Sequence, residues 1–228
     1  MAKTTETTSS GRLANSFNAF LVAKKRLLII IAAAILLAVA ILWISLSVAD
    51  NRAEDLQVAI DNAQRTYSEW VFLEDKSSAE GQSMRESLVE DLSQLAQKSG
   101  RSYPVLKAEY LLGLISYEEG AYNEALENFL AVSQKGSGTY LGSLALFNAG
   151  VASEQLGDHM NALEYYQRVY DTYGSDAAES AKALFSVARL HERAGNTELA
   201  RAVLQQLADE FAASEYAKLA RSRLVVLQ

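Results

Sequence analysis

The chain has no cysteine, one proline and two histidines in 228 residues. Without a thiol there can be no disulfide, cysteine nucleophile, thiolate metal site or lipid-modified cysteine at a membrane boundary. The redox compartment stays open. With Pro104 as the only proline and few β-branched runs, little interrupts helix. His159 and His191 stand in different segments and have no second ligand at helical spacing, so they read as turn or packing residues and no metal site is expected. No phosphate-cradling glycine loop, nucleophile elbow or paired-carboxylate motif stands out. Glu118-Glu119 and Asp209-Glu210 are helix neighbours whose side chains diverge, which is the pattern of a solvated face. The sequence predicts a protein that is not an enzyme and that uses no cofactor.

Positive charge is also scarce beyond the N-terminus. Residues 1–49 carry Lys3, Arg12, Lys24, Lys25 and Arg26 against Glu6, a net +4, while the whole chain is −7, leaving −11 for the remainder. An acidic body argues against a nucleic-acid partner, because phosphate binding needs clustered Lys and Arg.

Apolar sequence, by contrast, is abundant and makes up half of the chain. Residues 1–26 begin with a Thr/Ser-rich stretch expected to be a disordered tail. Leu27 to Val48 then runs for 22 residues without a charge. At about 1.5 Å per residue this reaches roughly 33 Å, enough to cross a bilayer. Lys24-Lys25-Arg26 precede it and Asp50 follows, so the positive-inside rule puts the N-terminus in the cytoplasm and the rest outside. A cleaved signal peptide ending at Ser47-Val48-Ala49 is the competing reading, disfavoured by the length of the apolar run. Residues 51–104 predict a helical pair, with stripes Leu56, Ile60, Ala63, Tyr67, Val71 and then Leu88, Leu92, Leu95 separated by a polar break at 74–82. This pair would cap the segment that begins at residue 105 or be a degenerate repeat.

Residues 105–213 contain a threefold pattern. The glycines Gly120, Gly157 and Gly195 are 37 and 38 residues apart. Seven residues before them stand Gly113, Gly150 and Ala188; five after them stand Ala125, Ala162 and Ala200. Phe129, Tyr166 and Leu204 follow four residues on, then Val132, Val169 and Leu207. Each unit reads as two antiparallel helices, A and B. The small residues permit close contact, the turn glycine permits left-handed backbone, and the larger residues fill the hairpin. Ser214 then reads as the N-cap of a last helix within 214–228 that caps the array, with Arg221 and Arg223 solvated.

The pattern resembles tetratricopeptide repeats over Lys107 to Ala213, departing in the extra residues of QKGSGTYLG and TYGSDAAES and in lacking a closing proline. The resemblance implies an all-α solenoid of antiparallel helix pairs behind an N-terminal transmembrane helix. It also implies that the A helices line a binding groove. Carried over, the groove positions are Lys107, Tyr110, Leu114 and Tyr117, then Leu144, Phe147, Val151 and Glu154, then Lys182, Phe185, Arg189 and Glu192. The column Tyr110, Phe147, Phe185 could present aromatic surface to a peptide or helix, or pack between repeats as core. Repeats that grip a terminal carboxylate use Lys and Asn where this chain has Tyr110 and Leu114, so such capture is not expected, although Asn148 and Lys182 match later positions.

The overall layout is similar to that of bacterial inner-membrane proteins with one span and a periplasmic repeat domain, among them the ancillary subunit of the Sec translocon. The stretches TYGSDAAESAKALF and ADEFAASEYAKLARSRL also resemble periplasmic proteins of outer-membrane assembly and of Tol–Pal-linked constriction. The former group are lipoproteins, and this chain has no cysteine to lipidate. The resemblance implies protein partners such as the translocon, exported chains or envelope-assembly machinery, with the bilayer contacted through 27–48. The alternative is a structural component that forms a homo-oligomer through repeat faces or through the Ala-rich span.

Overall fold

The structure, a computed structural model, describes residues 22–98 and 100–227. Residues 1–21 of the expected N-terminal tail lie outside that range. The chain divides into two compact units, Met1–Asp55 and Leu56–Gln228.

Helix α1 runs Lys25–Val71, 47 residues without glycine or proline. It passes unbroken through the point at which the sequence separates a span ending at Val48 from a helix starting at Asn51. Asp50 and Asn51 are weak helix formers, but two such residues do not stop a helix that has no proline or glycine to break it. In the first unit, Lys25–Ser45 has a mean hydropathy of 3.2 and none of it is buried within the protein. By length and composition this stretch can cross a membrane.

The second unit is an array of antiparallel helices. The C-terminal part of α1 is followed by α2 (Ala79–Ala96), α3 (Tyr103–Glu118), α4 (Tyr122–Lys135), α5 (Tyr140–Gln155), α6 (His159–Tyr173), α7 (Ser180–Arg193), α8 (Thr197–Glu210) and α9 (Glu215–Val226). The three repeats are α3–α4, α5–α6 and α7–α8. Helix starts follow local chemistry: Pro104 opens α3, and Ser78, Thr139, Asp158 and Ser214 accept backbone N–H bonds as N-caps. Helix α2 starts inside the break expected at 74–82, because the Ser78 hydroxyl caps it.

The A–B turns repeat one geometry. Gly120, Gly157 and Gly195 have φ of 77°, 75° and 77°. Each glycine N–H bonds the carbonyl three residues back, and the next N–H bonds the carbonyl five residues back: Ala121 to Ser116, Asp158 to Ser153, Asn196 to His191, at 2.8–2.9 Å. This is the Schellman ending, which satisfies the last carbonyls of helix A.

Packing proceeds in consecutive clusters. Ile60, Ala63 and Trp70 of α1 meet Leu88 and Leu92 of α2 and Leu111 of α3. Later clusters centre on Phe129 and Val132, on Tyr166 and Val169, and on Leu204 and Leu207. Each serves neighbouring helices, as in a solenoid. Within each repeat the contact is a small residue beneath a large one. A Cβ on Gly113 would stand 2.8 Å from Phe129 Cε1, and one on Gly150 would stand 2.6 Å from Tyr166 Cε1. In the third repeat, where the wedge is Leu204, Ala188 fits with no exposure to solvent.

At the C-terminal end the two arginines expected in solvent have partners. Arg223 pairs with Glu192, its Nε 2.7 Å from the carboxylate, and Arg221 donates to the carbonyls of Ala208 and Ala212 at 3.1 and 3.3 Å.

Gly150→Ala should therefore lower stability by about 1–3 kcal/mol, the usual cost of overpacking. Gly150→Ala with Tyr166→Leu should recover part of that loss, because it recreates the Ala188–Leu204 combination. Urea denaturation of the three proteins measures both effects. A single mutant as stable as the parent would refute the close-approach account.

Candidate functional site

Helices α3, α5 and α7 present a common face. Between α5 and α7 it holds a concavity of about 310 Å³ lined by Phe147, Val151, Glu154, Gln155, Tyr166, Lys182, Ser186 and Arg189. Five of the groove positions carried over from the resemblance meet here: Phe147, Val151, Glu154, Lys182 and Arg189. The structure does not bring Lys107, Tyr110, Leu114, Tyr117, Leu144, Phe185 or Glu192 into this concavity.

The aromatic column divides. Tyr110 and Phe147 are only 5% and 3% exposed, so both rings pack as core, and of the two only Phe147 also lines the concavity. Tyr110 packs on Phe129 at 5.6 Å between centroids, and Phe147 packs on Tyr166 at 5.1 Å. The cause is the glycine three residues further along helix A (Gly113, Gly150), which draws the B-helix wedge against them. The Tyr110 hydroxyl accepts a 2.7 Å bond from Asn148 Nδ2 on the next A helix, and burial raises its pKa. Phe185 is half-buried against Tyr216 of α9, 5.9 Å away. Leu114, Tyr117 and Leu144 are half-buried at the edge of the second cluster.

Two lysines stand over these rings. Lys182 Nζ is 4.4 Å from the Phe147 ring centroid, and Lys107 Nζ is 5.4 Å from that of Tyr110. Both distances are within cation–π range. Burial lowers the pKa of Lys107.

Glu154 joins the second repeat to the third. It accepts a 2.8 Å bond from the Tyr166 hydroxyl and pairs with Arg189 of α7. Burial opposes its ionisation, but bonds from Arg189 and Tyr166, together with attraction to Arg189 and His159, hold its pKa below the ordinary carboxylate range. Glu192, in the same column one repeat on, pairs with Arg223 in the same way.

The sequence reading missed Gln155, Tyr166 and Ser186 as lining residues, and it missed an exposed tyrosine pair. Tyr103 and Tyr140 are 41% and 60% exposed, with centroids 6.1 Å apart and hydroxyls 3.1 Å apart. Burial and the bond to Tyr103 push the Tyr140 pKa up to about 12. Each stands 17 residues before its turn glycine, so the repeat register held the signal. The two histidines lie in separate repeats, and among the described residues no group of three metal-ligating side chains occurs.

Comparison with known proteins bears on the repeats. The tetratricopeptide repeat family model matches residues 144–175 and 182–214. Photosystem I assembly protein Ycf3 of Cuscuta gronovii and of Cuscuta obtusiflora are each 36% identical over 64 residues. That stretch is 28% of this chain and spans 38% of the length of those relatives. Among solved structures, a Podosopora anserina putative kinesin light chain with nearly identical TPR-like repeats is similar at TM-score 0.54 and 14% identity, over 77% of this chain and 86% of that one. BtubC from P. vanneervenii is similar at TM-score 0.53 and 13% identity, over 75% and 82%. At these identities the structural likeness speaks for the fold alone.

Because the folded pKa of Glu154 lies below its unfolded value, its ionisation stabilises the fold above the ordinary Glu pKa of about 4.3. That contribution is lost as pH falls through the lower folded value. Thermal melts of the parent and Glu154→Gln should therefore differ most near neutral pH and converge in acid. A difference independent of pH would contradict the ionic link. The fold and the turn geometry agree with the matched segments: the chain is an all-α solenoid of antiparallel helix pairs, similar to tetratricopeptide repeats, whose family model covers residues 144–175 and 182–214.

Proposed function

We propose that this chain is a membrane-tethered scaffold that holds a peptide or helix of a partner protein against its A-helix face. The observation that carries the reading is the concavity between α5 and α7, where apolar floor and charged rim lie side by side. Tetratricopeptide repeats support a protein-interaction role in general. The relatives aligned over 64 residues are assembly proteins by name, which favours an adaptor. No catalytic step is part of this reading.

The tether is the apolar stretch Lys25–Ser45. Its basic flank, Lys24-Lys25-Arg26, favours a cytoplasmic N-terminus and an extracytoplasmic repeat domain, as in bacterial inner-membrane proteins with a periplasmic domain. Tethering raises the effective concentration of the groove near membrane partners. The partner classes that fit are translocon subunits, exported chains and envelope-assembly machinery.

A second reading, a self-associating structural component, has one observation in its favour. Leu219, Val225 and Val226 of α9 are 49%, 69% and 69% exposed. A concentration-independent monomer mass for the full chain in detergent would remove it.

Two experiments test the main reading. A photo-reactive residue at Lys182 or Tyr140 should give protein adducts in cells that one at Glu164, an exposed position on helix B of the second repeat, does not. Equal adducts from all three would mean that the A-helix face is not special. Because the chain lacks cysteine, single cysteines report topology. A membrane-impermeant maleimide should label Ser83→Cys in intact spheroplasts, and Ser9→Cys only after permeabilisation. The reverse pattern would overturn the orientation.

A further inference from the structure

The charge on the A-helix face is unlike that of the chain around it. Beyond residue 49 the net charge is −11. On the groove columns, however, both carboxylates are taken: Glu154 pairs with Arg189, and Glu192 with Arg223. At the rim, Glu179 accepts a 2.8 Å bond from the Ser143 hydroxyl. The cations Lys107 and Lys182 have no carboxylate partner among the described residues, and each stands over an aromatic ring. Lys107 is also half-buried, with its ammonium destabilised by desolvation. A half-buried cation without a counter-charge gains when a carboxylate arrives. In the concavity, Ser186 is only 8% exposed and lies one helical turn from Lys182. The face thus carries two ammonium groups without a carboxylate partner beside buried and half-buried apolar side chains.

We propose that the A-helix face takes a segment of another protein in which Asp or Glu alternates with apolar residues, one side-chain carboxylate meeting Lys182 at the concavity and another meeting Lys107 on α3, outside it. This rests on the groove reading above and narrows the occupant by charge complementarity. A long polyanion such as nucleic acid would meet the acidic remainder of the domain, whereas a short acidic segment meets only the local cations.

The test is fluorescence anisotropy with the full chain in neutral detergent. The probes are labelled peptides of alternating Glu and Leu, of Gln and Leu, and of Lys and Leu, each with a free and an amidated C-terminus. The Glu-Leu peptide should bind roughly fivefold more tightly than the Gln-Leu peptide at low ionic strength, as expected from two partly exposed ion pairs. The preference should shrink with added salt. It should also fall in Lys107→Gln and Lys182→Gln, whose melting temperatures should stay close to the parent's. Equal binding of Glu-Leu and Gln-Leu would overturn the acidic preference and leave the groove intact. Binding of none of the three would overturn the groove reading and this proposal together. Dependence on a free C-terminus would overturn the side-chain assignment in favour of a chain-terminal carboxylate. A preference unchanged in both lysine variants would place the acidic site elsewhere on the protein.

Discussion

The solenoid depends on how closely helix A can approach helix B. Phe129 and Tyr166 lie against backbone at Gly113 and Gly150, closer than any side chain would permit. That contact pulls the two helices of a hairpin together and leaves Phe129 and Tyr166 with 1% exposure. It also fixes the groove. With the wedge drawn in, the aromatic ring three residues before each glycine is buried as well, and the exposed residues around the concavity are Gln155, Lys182 and Arg189. One steric constraint thus sets both the interior and the face.

Ion pairs then align successive repeats on this frame. Glu154 and Glu192 occupy equivalent places near the ends of their A helices, and each reaches an arginine on the next A-type helix. Exposed pairs of this kind contribute little individually. The Glu154 pair is more than an exposed contact, because a buried tyrosine hydroxyl also donates to the same carboxylate. It fastens the second repeat to the third at the concavity itself. It also neutralises a negative charge on the face that carries Lys107 and Lys182.

Much of this was legible in the sequence, and the reasons differ by feature. The turn glycines and small-residue columns could be read because their constraint is local and steric: only glycine or alanine fits, so the spacing records the fold. The aromatic column could not be assigned to groove or core, since a helical period gives a residue's angle around the helix but not how deeply a neighbour presses on it. Tyr103 and Tyr140 escaped because two occurrences in register look like junction residues until their exposure is known. Glu154–Arg189 escaped because its partners are 35 positions apart with no periodic signal to join them. The continuity of α1 was missed for a different reason: the polar residues at 50–52 mark a change of composition, and a change of composition without proline or glycine does not end a helix.

The placement of the concavity at the joint between two repeats has a mechanical consequence. In an array whose parts hold only their neighbours, each joint is a place where the structure can open without disturbing the rest. A molecule seated between α5 and α7 touches both sides of one such joint and acts as a splint. Occupancy would stiffen the array at its middle, so the presence of a partner would be felt as reduced bending between the second and third repeats.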